Sequence, residues 1–298
     1  MIQASVTRRT LLNSRSYVAK YYTFRGTAYS LQNRMDLAIA DYDHALLLYP
    51  EYPGAHLNRG DAFVSKQKYA LAIADFTEAL RQQPKFSAAH LARGDVYLRI
   101  GDDDKALEDF TEALREDPKD TEALFHLGIA HERTGQNMLA LGDYNKAISL
   151  DPKSINGYFG RGRLLFDESD FVNAAVDLSA ASKLEPANEY LLLWLHVADQ
   201  RASKSDDSLF SVNSSSLDLT RWPGPIVALF LRKATRTQVV SAAAGTQSCQ
   251  AYFFIAEWEI ENRKASRARS DLQRAIDLCP ADFVESLAAR AEQLRSRN

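Results

Sequence analysis

The sequence predicts an all-α fold, a solenoid of stacked helix–turn–helix units, on three observations. Gly26, Gly60, Gly94, Gly128 and Gly162 each lie 34 residues apart, and two alanine series keep that period: Ala38, Ala72, Ala106, Ala140, Ala174 and Ala45, Ala79, Ala113, Ala147, Ala181. A proline closes each unit, at Pro50, Pro84, Pro118, Pro152 and Pro186. Large side chains flank each glycine at spacings of four and three, which places them on one helical face. Four series with one period and no insertion over about 170 residues describe an array whose units bury their apolar faces on their neighbours.

Taken in order, residues 1–18 form an N-terminal extension, expected as a short helix packed on the first repeat. Five repeats then fill 19–188, at 19–52, 53–86, 87–120, 121–154 and 155–188. Helix A of each carries a large residue (Tyr22, His56, His90, Leu124, Tyr158), then the glycine, then Tyr29, Phe63, Tyr97, His131 or Leu165. Glycine inside a helix costs about 1 kcal/mol against alanine. A glycine repeated there therefore points to close approach of a neighbouring helix. In helix B, Tyr42, Phe76, Phe110, Tyr144 and Leu178 fill the gap between the two alanines. Asn33, Gly101 and Gly135 stand where helix A must end in a left-handed residue. The proline ends helix B, which it cannot continue. Arg25, Arg59, Arg93 and Arg161 share one place in helix A, with Leu127 as the exception, and Asp41, Asp75, Asp109, Asp143 and Asp177 share one in helix B. An Arg–Asp ladder that fixes helix register is expected.

Regularity ends after Pro186, and residues 189–248 read as a degenerate repeat with a Ser-rich insertion and short helices. A helix over 189–202 carries Tyr190, Leu191, Leu193, Trp194, Val197 and Ala198. Seven serines with Asp206, Asp207 and Asn213 make 203–216 a flexible loop by composition. Ile226, Val227, Leu229 and Phe230 form a short apolar helix, and Thr235 with Gln238 forms a capping box for another through Ala244. Tyr252, Ala256, Ala268, Leu272, Ala275 and Pro280 restore the earlier offsets, so 249–282 is a further repeat, and 283–298 supplies the capping helix an array end needs.

Glycine, two alanines and proline at these offsets resemble the tetratricopeptide repeat (TPR). That resemblance implies a right-handed superhelix whose helix A faces line a groove for a protein or peptide partner. Helical phase then selects residues 2, 5, 9 and 12 of each repeat as groove positions: Leu57, Asp61, Val64, Leu91, Asp95, Leu98, Glu122, Phe125, Ile129, Glu132, Phe159, Arg163 and Phe166. Phe125, Phe159 and Phe166 are the expected anchors for an apolar or amphipathic segment. The alternative is that these side chains pack on adjacent helices or on the tail folded back into the groove. TPRs that clamp chaperone C-termini need Lys and Asn at places held here by Thr23, Thr27, Asn58, Ala88 and Ala92, of which only Asn58 fits. The stretch 192–198, the segment 222–231 and the ending 252–294 are similar, in the same order, to NlpI-type TPR lipoproteins of Gram-negative bacteria. The implication is an envelope scaffold docking peptidoglycan hydrolases and a processing protease, although this chain has no lipoprotein signal or N-terminal Cys.

A net charge of −3 argues against a general nucleic-acid binder, and no apolar run reaches a membrane span. The basic stretch Arg263, Lys264, Arg267 and Arg269 is interleaved with acids and reads as a solvated face. Thr7 to Leu12 looks like a twin-arginine export motif, but Asn13, Ser14, Arg15, Ser16 and Lys20 follow in place of an apolar core. As written the chain reads as cytoplasmic, and as periplasmic if its start is truncated or its cysteines pair. Cys249 begins helix A and Cys279 ends helix B of one hairpin, where a disulfide worth about 3–4 kcal/mol and a reduced buried pair are both open. The six histidines have no metal-ligand spacing, and no nucleophile elbow, phosphate loop or dinucleotide fingerprint occurs. No enzymatic activity, cofactor or metal is expected. Two function classes follow: a protein-interaction scaffold, or a self-assembly module dimerising through the C-terminal region with Trp194, Trp222 and Trp258.

Overall fold

The computed structural model describes residues 2–203, 207–215, 217–280 and 283–296, with residues 2–14 and 207–209 described as backbone. The described residues are helical throughout, with no strand, and the chain forms two compact units, Met1–Pro118 and Lys119–Asn298. The first holds α1 (Ile2–Leu31), α2 (Met35–Leu48), α3 (Pro53–Ser65), α4 (Tyr69–Gln82), α5 (Ser87–Ile100) and α6 (Asp103–Glu116). The second continues with α7 (Thr121–Arg133), α8 (Asn137–Leu150), α9 (Ile155–Asp167), α10 (Phe171–Leu184) and α11 (Glu189–Arg201), then α12 (Asp207–Asn213), α13 (Gly224–Phe230) and α14 (Arg236–Ala242). It ends with α15 (Gln247–Glu261), α16 (Ala265–Leu278) and α17 (Val284–Arg295).

Two expectations need correction. The N-terminal extension is not a separate helix folded onto the first repeat. It runs into helix A as one 30-residue helix, because neither Gly nor Pro interrupts the stretch before Gly26. The segment 203–216, read as a loop, contains α12, although 204–206 and 216 lie outside the described residues. Composition misleads there because one aromatic anchors the turn: Phe210 is buried and stacks on His196 with ring centroids 3.9 Å apart.

The glycines seat the helix B aromatics. A methyl group on Gly26, Gly60, Gly94 or Gly128 would sit 2.7, 2.4, 2.7 or 2.5 Å from Cε1 of Tyr42, Phe76, Phe110 or Tyr144. Fixed at that distance, helix A brings each arginine onto its aspartate. Arg25, Arg59, Arg93 and Arg161 donate through Nε and Nη2 to Asp41, Asp75, Asp109 and Asp177 at 2.6–2.8 Å. His56 and His90 add Nδ1 contacts to Asp75 and Asp109 at 3.0 and 2.9 Å. Where Leu127 breaks the series, His131 Nδ1 meets Asp143 at 2.7 Å instead.

Helix A ends in a left-handed residue at Asn33, Gln67, Gly101, Gly135, Ser169 and Ser203, a series with the 34-residue period, and again at Arg263 in the last repeat. Asp120, Ser154, Asp170 and Asn188 cap α7, α9, α10 and α11 with side-chain oxygens, and Thr235 closes a capping box on α14. A disulfide joins Cys249 of α15 to Cys279 at the end of α16, with Cα atoms 4.9 Å apart.

The seat predicts opposite signs for two substitutions. Gly94→Ala should destabilise by about 1–3 kcal/mol, since its methyl group collides with Phe110. Gly142→Ala, inside α8 with nothing within 4 Å of the added group, should stabilise by about 0.5–1 kcal/mol. Denaturant midpoints read both, and a stabilised Gly94→Ala would discard the seat.

Candidate functional site

In the first unit, the expected groove positions are Leu57, Asp61 and Val64 on α3 and Leu91, Asp95 and Leu98 on α5. Leu57 and Val64 are half-buried. Leu57 packs on Ala79, Leu80 and Ala89, and both leucine and valine adjoin Phe76 and Val96. Leu91 and Asp95 are half-buried, whereas Leu98 is 3% exposed. Solvent reaches Asp61, but the neighbouring walls crowd it: desolvation, and then the charge of Asp95, push its carboxyl up to about 6. Asn58 is tied to Thr27, to whose Oγ1 it donates at 3.3 Å. The result is an apolar strip bearing two acids.

The second unit treats the equivalent positions differently, and the expectation of one continuous open row is corrected there. Glu122 is exposed and Phe125 half-buried, but Ile129, Glu132, Phe159, Arg163 and Phe166 are buried. Arg163 and Phe166 have no exposed surface. Arg163 donates to Glu132 and, at 2.6 Å, to Asp167. Tyr144 donates its hydroxyl to the same Glu132. Trp194 lies edge-on to Phe159 and Phe166, with centroids 6.0 and 5.7 Å away. Arg295 of α17 reaches across, and its Nη1 donates to the Phe166 carbonyl at 2.8 Å. Phe159 and Phe166 are therefore core residues, covered by α11 and α17. Beside them Phe125 lines a cleft of about 500 Å³ with Thr121, Ile155, Asn156 and Tyr190. Trp194 is fully buried too, which removes it from any dimer face. Trp222 donates Nε1 to Gln250, and Trp258 lies under the Lys264 ammonium.

Beneath this core sits an ionic group that the periodic reading missed. Arg201 donates to Glu292 at 2.6 Å and lies 3.8 Å from Glu257, neither of whose carboxylate oxygens accepts a hydrogen bond. Burial, with Glu292 adding to it, pushes the Glu257 carboxyl up to about 8 against the pull of Arg201 and Arg295. Burial likewise lifts Asp167 to about 7 despite Arg163. Partners 91 to 129 residues apart leave no periodic trace. One cue was present: Glu132 and Arg163, opposite charges 31 residues apart, replace the Val64 and Asp95 of earlier repeats. Among the described residues, no group of three or more His, Cys, Asp or Glu is placed to hold a metal, and no helix is long and apolar enough to cross a membrane.

A sequence model of the tetratricopeptide repeat matches residues 23–85, 57–121 and 91–155. With the all-helical repeat architecture, this assigns tetratricopeptide repeats to residues 23–155. Among solved structures, a TPR protein from Parabacteroides merdae is similar over 95% of this chain and 100% of its own, at 15% identity and a TM-score of 0.61. Pseudomonas aeruginosa PilF is similar over 74% of this chain and 98% of its own, at 17% identity and a TM-score of 0.61. A thermophilic TPR protein from Thermus thermophilus aligns over 60% and 98%, at 16% identity and a TM-score of 0.52. At these identities the likeness concerns the fold. No curated protein matches the chain.

The Glu257 site predicts a pH dependence. A carboxyl raised from its unfolded value near 4 to about 8 binds its proton more tightly when folded, so its stabilisation is full below about pH 4 and is lost as pH rises to about 8. Glu257→Gln should therefore gain roughly 1–3 kcal/mol over the parent near pH 8.5 and little near pH 4.5. An equal gain at both pH values, in denaturant titrations, would refute the raised carboxyl.

Proposed function

We propose that the protein is a protein-interaction scaffold whose first unit holds an apolar or amphipathic partner segment carrying a basic side chain. TPR folds commonly mediate protein–protein contacts. The observation that carries the reading is the pair Asp61 and Asp95 among Leu57, Val64 and Leu91, two like charges on one apolar face, of which Asp61 is exposed and its carboxyl is pushed up by desolvation and by Asp95. A cation is attracted there, and the flanking apolar groups supply the desolvated contact that makes such an interaction count.

The test is a peptide panel with one apolar pattern and either Lys or Glu on the polar face. Lysine peptides should bind and glutamate peptides should not, and Asp61→Asn with Asp95→Asn should weaken binding about tenfold or more. Because Asp61 ionises near 6, affinity should climb as pH is raised from about 5 to 7. Binding indifferent to both carboxylates would remove this site from consideration.

The narrower reading is an envelope adaptor of the NlpI type that docks peptidoglycan hydrolases or a processing protease. Its supports are the three tail stretches and the bond between Cys249 and Cys279, since such bonds persist in oxidising compartments. Protein recovered from its own cells into alkylating agent should incorporate no label until it is reduced. Immediate labelling of both thiols would speak for a reducing compartment and against the envelope role.

A further inference from the structure

Internal helix A copies receive helix B of the repeat before them on a face of small side chains. In α3 these are Ala55 and Ala62, fully buried against Ala45 and Leu46 and against Ala38 and Tyr42 of α2. In α5 they are Ala89 and Val96, fully buried against Ala79 and Leu80 and against Ala72 and Phe76 of α4. The same register in α1 reads Tyr21 and Ala28, with Phe24 where α3 and α5 carry Asn58 and Ala92. Tyr21 is 58% and Phe24 72% exposed, and Tyr17 and Leu31 prolong the row at 75% and 86%. The spacing from Tyr17 through Tyr21, Phe24 and Ala28 to Leu31 alternates four and three, a straight seam about 21 Å long.

A helix face that met only water would be polar here. This one carries aromatic residues beside arginine, the composition of an interface core. Arg25 stacks 5.4 Å from the Tyr21 ring while hydrogen bonding Asp41, which holds the ring in place, and Lys20 lies 5.9 Å over Tyr17. The helix is also one-signed: Arg8, Arg9, Arg15, Lys20 and Arg25 lie in it, and the first acidic residue of the chain is Asp36.

We propose that this face docks an acidic amphipathic helix of another protein, seated where helix B of a preceding repeat would lie. Charge selects the occupant. Two α1 helices face to face would bring two basic surfaces together, whereas an acidic helix is drawn in by the same field. An anionic membrane shares the charge preference, but the straight seam in the register of the helix B seat fits a helix.

The experiment titrates the full chain, and its Tyr21→Ser, Phe24→Ser variant, with two labelled helical peptides that share a leucine seam, one flanked by Glu and one by Lys. The Glu peptide should bind the parent, at least about tenfold more weakly the variant. Adding Asp61→Asn and Asp95→Asn should leave that binding unchanged, which separates this face from the groove. Both substituted residues are exposed, so the variant should keep the helical signal and melting temperature of the parent. Three results would overturn the proposal: equal or no binding of the Glu peptide by parent and variant; a dimer by sedimentation in the parent that the variant loses; or binding of phosphatidylserine–phosphatidylcholine vesicles that depends on Tyr21 and Phe24 and that the Glu peptide does not displace.

Discussion

The array depends on a steric seat: a helix A glycine that admits the ring of a helix B aromatic. With a side chain there the helices would have to separate, and the arginine of helix A would lose the bidentate reach to its aspartate that recurs in four repeats. The seat is also adjustable. In the fifth repeat Leu178 replaces the aromatic, and its Cγ would lie 3.0 Å from a methyl group on Gly162. Tyr144 of the fourth repeat instead lies against two glycines, since a methyl group on Gly128 or on Gly160 would sit 2.5 Å from its Cε1. Held on both sides, the ring aims its hydroxyl at Glu132, so a packing device becomes the entry to the buried ionic group.

Burial alone does not decide what a carboxylate does in this protein; the donors around it do. Burial raises the carboxyls of Asp75 and Asp109, yet hydrogen bonds from an arginine and a histidine bring each below its ordinary value. Asp143, with Leu127 in place of the arginine, keeps only His131, and there burial prevails and the carboxyl moves up. Glu257 lacks even that donor and moves furthest. Half-exposed pairs like those of the ladder contribute modestly to stability, so fixing the A–B register is their main effect. The buried group is different: removing Arg163 would leave the Glu132 charge stranded in the core, which makes that pair a constraint on how α7 and α9 assemble.

The periodic part of the fold was legible because each repeat solves the same packing problem with the same residues. Helix limits, the glycine seat and the ladder all follow from offsets. The left-handed helix ends were half legible. Asn33, Gly101 and Gly135 announce themselves, whereas Gln67, Ser169, Ser203 and Arg263 adopt that conformation because the turn geometry repeats, not because their side chains favour it. The exposure of the candidate site was not legible. Helical phase selects Phe159, Arg163 and Phe166 as groove positions, yet it carries no information about what else arrives there. The covering residues come from Trp194 and Arg295, on helices outside the regular series.

What separates an open helix A face from a closed one is therefore the charge at two positions. At the ninth residue of the repeat the chain reads Asp61, Asp95, Ile129, Arg163, and at the twelfth Val64, Leu98, Glu132, Phe166. In the second unit the arginine of one repeat neutralises the glutamate of the repeat before it, and a neutralised pair can be covered by aromatic rings without leaving a charge unpaired. The first unit carries two acids, Asp61 and Asp95, at the ninth place. Covering them with the chain's own apolar residues would desolvate two like charges, and the raised Asp61 carboxyl registers that cost already. On the proposed reading a partner that brings its own cation would remove that cost, so the two acids would set the sign of what the face holds.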